Sequence, residues 1–149
     1  MNSIAESYPQ SEDQELMFFR SLKTEMRLLP TRKIVGIVRV VLTSLAKSLP
    51  TTQVNEVVKK LPSTLQMVFT HSWKSNDQYQ PVVHLDELVE TVCNTETKKG
   101  VLFTNEVEAL KYVLIVIKNL KIVFDKIGVT VFPYSMISEY QQAVQEGAV

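Results

Sequence analysis

Cysteine is almost absent. Cys93 is the one thiol among 149 residues, so no disulfide framework can form within the chain, and a reducing compartment, the cytoplasm, is the simpler setting. Glycine is scarce too. Gly36, Gly100, Gly128 and Gly147 make neither G-x-x-x-x-G-K-[ST] nor G-x-G-x-x-G, which excludes the loops that cradle nucleotide phosphates. No apolar run approaches the roughly 18 residues of a membrane span, and MNSIAESYPQ lacks the basic-then-apolar order of a secretory signal. Net charge is also missing: 16 basic side chains meet 16 acidic ones. With hydrophobic residues at 45%, that balance excludes extensive disorder. The length suits one domain, long enough to bury roughly 70% of the surface its unfolded chain exposes.

What is present is helical periodicity. Residues 1–10, polar and ending near Pro9, read as a flexible tail before a single domain over 11–149. Ser11 and Gln14 have capping-box spacing. Leu16, Phe19, Leu22, Met26 and Leu29 then recur at three and four residues until Pro30. A second stripe runs from Ile34 through Val38, Leu42 and Leu49 to Pro50, a short third from Val54 to Leu61, and a fourth from Pro62 through Leu65 and Phe69. Residues 74–84 read as a linker. Leu85, Leu88, Val89 and Val92 begin the second half, TETKKG ends that helix with Gly100 available for a left-handed turn, and Asn105 and Glu108 repeat the capping-box spacing before Ala109–Leu120. Segments 34–42 and 113–124 are rich in Val and Ile, residues favoured in strands. Their length, capped starts and low glycine content favour helix, so the expected class is all-α, a single-domain helical bundle.

The halves resemble each other. Arg39–Leu45 aligns with Lys111–Ile117 at a shift of 72, and Leu61-Pro62-x-x-Leu65 with Phe132-Pro133-x-x-Met136 at a shift of 71. Two repeats follow, about 15–73 and 85–142, with Leu42 and Leu114 in equivalent buried positions and Pro62 and Pro133 each in the first turn of a helix. The run from Val38 to Trp73, with Val40-Val41-Leu42, Leu61-Pro62, Leu65 and Trp73 in order, resembles the central motif of an uncharacterised bacterial family, domain of unknown function 2267. The start Asn105-Glu106-Val107-Glu108-Ala109 and the terminal Phe132-Pro133 resemble its second repeat, although Phe replaces the usual Leu there. The family's acidic segment before that Pro is here the apolar LKIVFDKIGVTVF, so residues 121–132 could be helix, strand or loop. The resemblance implies an all-helical bundle and carries no activity, cofactor or functional residue with it.

No chemistry-bearing set stands out. His71, His84 and Cys93 are too widely spaced for paired zinc ligands. Cys93, next to Val92 in a stripe, reads as a small buried hydrophobe, and Asp86, Glu87 and Glu90 as a solvated face lacking the His of a di-metal set. No catalytic residue, cofactor or metal is therefore expected. The bases cluster in residues 20–60 (Arg20, Lys23, Arg27, Arg32, Lys33, Arg39, Lys47, Lys59, Lys60), where the acids are Glu25 and Glu56. Acidic segments lying over that stretch or an anionic partner would each explain it. Phe69, Trp73 and Tyr79 read either as a core set closing the first repeat or as a partner patch. Nucleic acid fits poorly, because Phe18 is the only aromatic near the clustered bases available for stacking and the pI is near 6.7. The leading expectation is a non-enzymatic module that binds a protein partner or a second copy of itself, contacting it through Met17, Phe18, Arg20, Arg27 and Leu28. The alternative is anion or nucleic-acid binding through the basic face of 20–60.

Overall fold

Proline divides the chain into helices. The computed structural model describes residues 3–74, 82–97 and 100–147, with side chains described in 13–70, 82–95 and 100–147. In order the elements are α1 (Ser3–Glu25), α2 (Thr31–Lys47), α3 (Thr51–Lys60), α4 (Ser63–Lys74), α5 (Leu85–Asn94), the two-residue strands β1 (Glu96–Thr97) and β2 (Gly100–Val101), α6 (Glu106–Ile127) and α7 (Tyr134–Gln145). Pro30, Pro50 and Pro133 are the N-caps of α2, α3 and α7, all with extended backbone (ψ near 150°). Pro62 immediately precedes α4, its carbonyl accepting from Gln66 N–H at 2.8 Å. Pro62 and Pro133, expected inside a first turn, each stand one residue ahead of it. The reason holds in either place: a ring without N–H costs nothing there, and it disfavours helix in the residue before it.

The architecture is an all-α bundle built around α6. Side chains from Tyr112 to Ile117, together with Leu120, Val123 and Phe124, are buried on nearly every side of this helix. Helices apolar all round belong in a core. The Val and Ile content of 113–124 therefore reflects enclosure, and it costs little helix propensity once packing dominates. Around α6 pack α1, α5 and α2, while α4 lies on α2 and α7 on α5. Asn105 caps α6 as expected, its Oδ1 accepting from Val107 N–H at 2.8 Å and Glu108 N–H at 3.4 Å. The helix ends at Gly128, whose φ of 77° suits a residue without Cβ. Residues 121–132 thus resolve into helix through Ile127, then loop, with Phe132 folding back to put its ring 5.5 Å from that of Phe124.

Three expectations change. In place of the flexible tail expected over 1–10, α1 is helical from Ser3 and carries the Ser11 spacing inside it. Pro9 removes one intrahelical donor, and a helix anchored downstream can extend past such a gap because each added residue brings its own bond. The inward stripe of α1 is Phe18 and Leu22, continued by Met26 in the turn that follows, at 3%, 0% and 1% exposure, while Leu16 is 55% exposed. At 3.6 residues per turn Phe18 lies about 40° from Leu22 around the helix and Leu16 about 120° away. Phe18 is therefore core, its ring edge-on to Phe19 at 5.0 Å, and leaves the expected contact surface. Finally, TETKKG does more than end α5: Glu96 pairs with Val101 and Thr97 with Gly100 in an antiparallel pair. Gly100, at φ 106°, allows the reversal.

Leu42, Leu65 and Leu114 are fully enclosed, and Leu61 and Phe132 nearly so. The counterpart of α3 in the second half is no separate helix: α6 runs on to Ile127 and a loop follows. Trp73 belongs by backbone to α4, but its side chain, like all of Tyr79, lies outside the described residues. No helix among the described residues is long and apolar enough to cross a membrane.

Candidate functional site

The turn between α1 and α2 is set by Leu28-Leu29-Pro30. Leu29 N–H closes the turn onto Met26 C=O at 2.9 Å, and Pro30 C=O then accepts from Lys33 and Ile34 at 2.9 and 3.2 Å. Leu29 is partly buried against the core, which swings Leu28 outward to 81% exposure. On α2, Ile34, Ile37, Val38 and Val41 face inward. Arg32, Val35, Gly36 and Arg39 therefore share the opposite stripe. Beside that stripe runs β2. Leu102 N–H donates to Thr95 C=O at 3.1 Å, holding Leu102 against α2 at Gly36, where a Cβ would stand 3.4 Å from Leu102 Cδ2.

These elements enclose a groove of about 850 Å³ lined by Leu28, Leu29, Pro30, Val35, Val101 and Leu102 together with Arg32, Lys33, Gly36 and Arg39. Lys33 Nζ stands 4.8 Å from the centre of the Phe103 ring, and that ring stacks on Tyr112 at 5.5 Å. Among the described residues Arg32, Lys33 and Arg39 enter no ion pair, and of all the bases in 20–60 only Lys59 does, with Glu56. Acids do not cover the basic segment within the described fold. Arg32 and Lys33 also occupy the first turn of α2, which holds no acidic residue. Cations at that end oppose the helix dipole; Lys33 offsets this with its contact to the Phe103 ring, and Arg32 has no ion pair that would.

A second hollow, about 540 Å³, lies between α5, α6 and α7, lined by Leu85, Val89, Val107, Leu110 and Ala143 with Asp86, Glu106 and Glu139. Glu139 accepts from Leu85 N–H at 2.8 Å and meets His84 Nδ1 at 3.0 Å, tying α7 to the start of α5. Glu87 also serves that start. The N–H of His84, then that of Val83, holds its carboxyl below the usual range, so it is a cap as well as part of a solvated face. Cys93 is buried, its thiol donating to Phe103 C=O at 3.3 Å. Among the described residues no group of three or more His, Cys, Asp and Glu could hold a metal ion.

Of the five residues expected to form a contact surface, Met17, Arg20, Arg27 and Leu28 are exposed and Phe18 is buried. Leu28 alone lines the groove; Met17 and Arg20 on α1 and Arg27 in the turn after it lie outside its lining. Sequence reasoning missed Gly36, Val101 and Leu102, and it counted Arg32, Lys33 and Arg39 as bases without placing them in a concavity. One signal was there to be read: a glycine inside an otherwise strong helix costs about 1 kcal/mol, and Arg32 and Arg39 flank Gly36 at helical spacing on its own face. Comparison with protein-family models, with curated proteins and with solved structures finds no match to this chain.

Proposed function

We propose that this chain is a binding module without turnover, holding a protein partner or a second copy of itself in the groove at the α1–α2 junction. The observation that carries the reading is that groove, an apolar floor opened to solvent by Leu28 and Val101, at 81% and 43% exposure, and edged by Arg32, Lys33 and Arg39. Apolar concavities with arginine at the margin have the composition of protein interfaces. Kinship to domain of unknown function 2267 and a cytoplasmic setting belong to the same reading. The spacing around Leu61-Pro62 supports the first and the lone buried Cys93 thiol the second. Anion binding over 20–60 is the second reading, favoured by the bases of that segment that lack an ion pair among the described residues.

The test is selection from a random peptide display library on the immobilised protein and on a Leu28→Asp, Val101→Asp variant. Both positions face solvent, so the variant should keep its fold. Peptides enriched on the parent and lost on the variant are expected. Identical enrichment on both would remove the groove, and enrichment of nothing would remove the reading. Sedimentation velocity separates a self-associating chain from one that needs a different partner.

A further inference from the structure

We infer that the occupant of the groove is an acidic amphipathic segment of a partner protein, its apolar side chains on the aliphatic floor and its carboxylates on Arg32, Lys33 and Arg39. This rests on the reading of the chain as a binding module and adds the chemistry of the partner. Two features of the groove select it. The first is charge: three cations converge on one concavity, and among the described residues none has a carboxylate partner. Carboxylates arriving with a partner meet cations that lack a carboxylate partner, and a basic competitor is repelled.

The second is the lining between the charges. Leu28, Leu29, Pro30, Val35, Val101 and Leu102 are aliphatic or proline, a surface that a free phosphate or a sugar–phosphate backbone leaves wet. Nucleic acid would need exposed rings for its bases to stack on. The nearest ring, Phe103, is 3% exposed and already stacked on Tyr112. A segment with apolar residues at i, i+3, i+4 and i+7 and acids beside them meets both demands. The hollow between α5, α6 and α7 has the opposite edge, Asp86, Glu106 and Glu139, so the two concavities select opposite charges.

Fluorescence anisotropy with two synthetic peptides tests this. Both carry leucine at i, i+3, i+4 and i+7; one has glutamate and the other lysine at the flanking positions. Poly-glutamate and a single-stranded oligonucleotide serve as anions without an apolar face. The glutamate–leucine peptide should bind at least about tenfold more tightly than the lysine–leucine peptide, weaken as salt rises, and lose about tenfold or more on Arg39→Glu and on Leu28→Asp. Equal or tighter binding of the lysine–leucine peptide overturns the inference. If that binding is lost on Leu28→Asp, the groove still binds and only the partner's charge was wrong. Poly-glutamate or the oligonucleotide matching the glutamate–leucine peptide also overturns it, because the apolar floor would then contribute nothing. Failure of both peptides overturns it as well, and the display selection then decides whether the module reading falls with it.

Discussion

Glu25 at the end of α1 accepts a hydrogen bond from Asn119 Nδ2 on α6 at 3.0 Å, across 94 residues of sequence. Asn119 is 5% exposed, and its amide also donates to Ile115 C=O at 2.8 Å. Lys118 pairs with the other carboxylate oxygen. One carboxylate thus satisfies a buried amide, holds a lysine and fixes α1 against the central helix. Replacing Glu25 by Ala strips a partner from a buried donor and should cost about 1–3 kcal/mol. Urea unfolding measures it, and a loss below about 0.3 kcal/mol would show that the contact does not hold α1 in place.

The same group predicts an acid limb. Burial alone would raise the Glu25 carboxyl, but the Asn119 hydrogen bond and then the Lys118 ammonium outweigh it, leaving the group below its ordinary value of 4.5. A depressed folded-state pKa means the folded protein binds the proton less readily than the unfolded chain. The stabilisation is therefore complete above the ordinary carboxylate range and is lost as pH falls through the folded pKa. The stability gap between parent and Glu25→Gln should stay constant from pH 7 to about 5.5 and narrow below that. A gap that widens on acidification would reverse the assignment.

Leu42 and Leu114 are both fully buried. Truncation of either to Ala should cost about 2–5 kcal/mol through lost burial and the cavity left behind. Similar losses at the two sites in thermal and urea unfolding would fit their equivalence in the sequence alignment, and a loss under about half a kcal/mol at either would break it.

Phe18→Glu, on the inward stripe of α1, should destabilise by about 3 kcal/mol or more, since it removes a core ring and buries an unpaired charge. Met17→Glu, one residue away and 55% exposed, should change stability by less than about 0.5 kcal/mol. Circular dichroism melts of the pair decide whether the stripe has been placed correctly.

Gly36→Ala probes the groove floor. The new Cβ would meet Leu102 Cδ2 at 3.4 Å, an ordinary contact, and alanine raises helix propensity by about 1 kcal/mol. A gain of about 0.5–1 kcal/mol is expected. A loss would show that the hairpin lies tighter on α2 than that distance indicates.

Much of this fold is legible in the sequence because its punctuation is local. Pro30, Pro50, Pro62 and Pro133 start helices wherever they stand, Asn105 caps its own next turn, and the apolar stripe of Ile34, Ile37, Val38 and Val41 marks the buried side of α2. Period-reading failed at Leu16 and Phe18, where spacings of three and four admit both residues and only the angle around the helix separates them. It was silent on the groove, because a concavity belongs to no single segment.

The sequence by itself therefore determined that the chain is helical, where most helices begin, and that Leu42, Leu65 and Leu114 are core, since these follow from backbone sterics and from which faces must leave water. The tertiary structure decided which bases stand together and what lies between them. Arg32, Lys33 and Arg39 became a site only when the chain at β2 brought Leu102 against Gly36 and Val101 into the groove lining, a meeting of residues some 65 apart in the chain that depends on long-range packing, and long-range packing leaves no periodic trace in either segment.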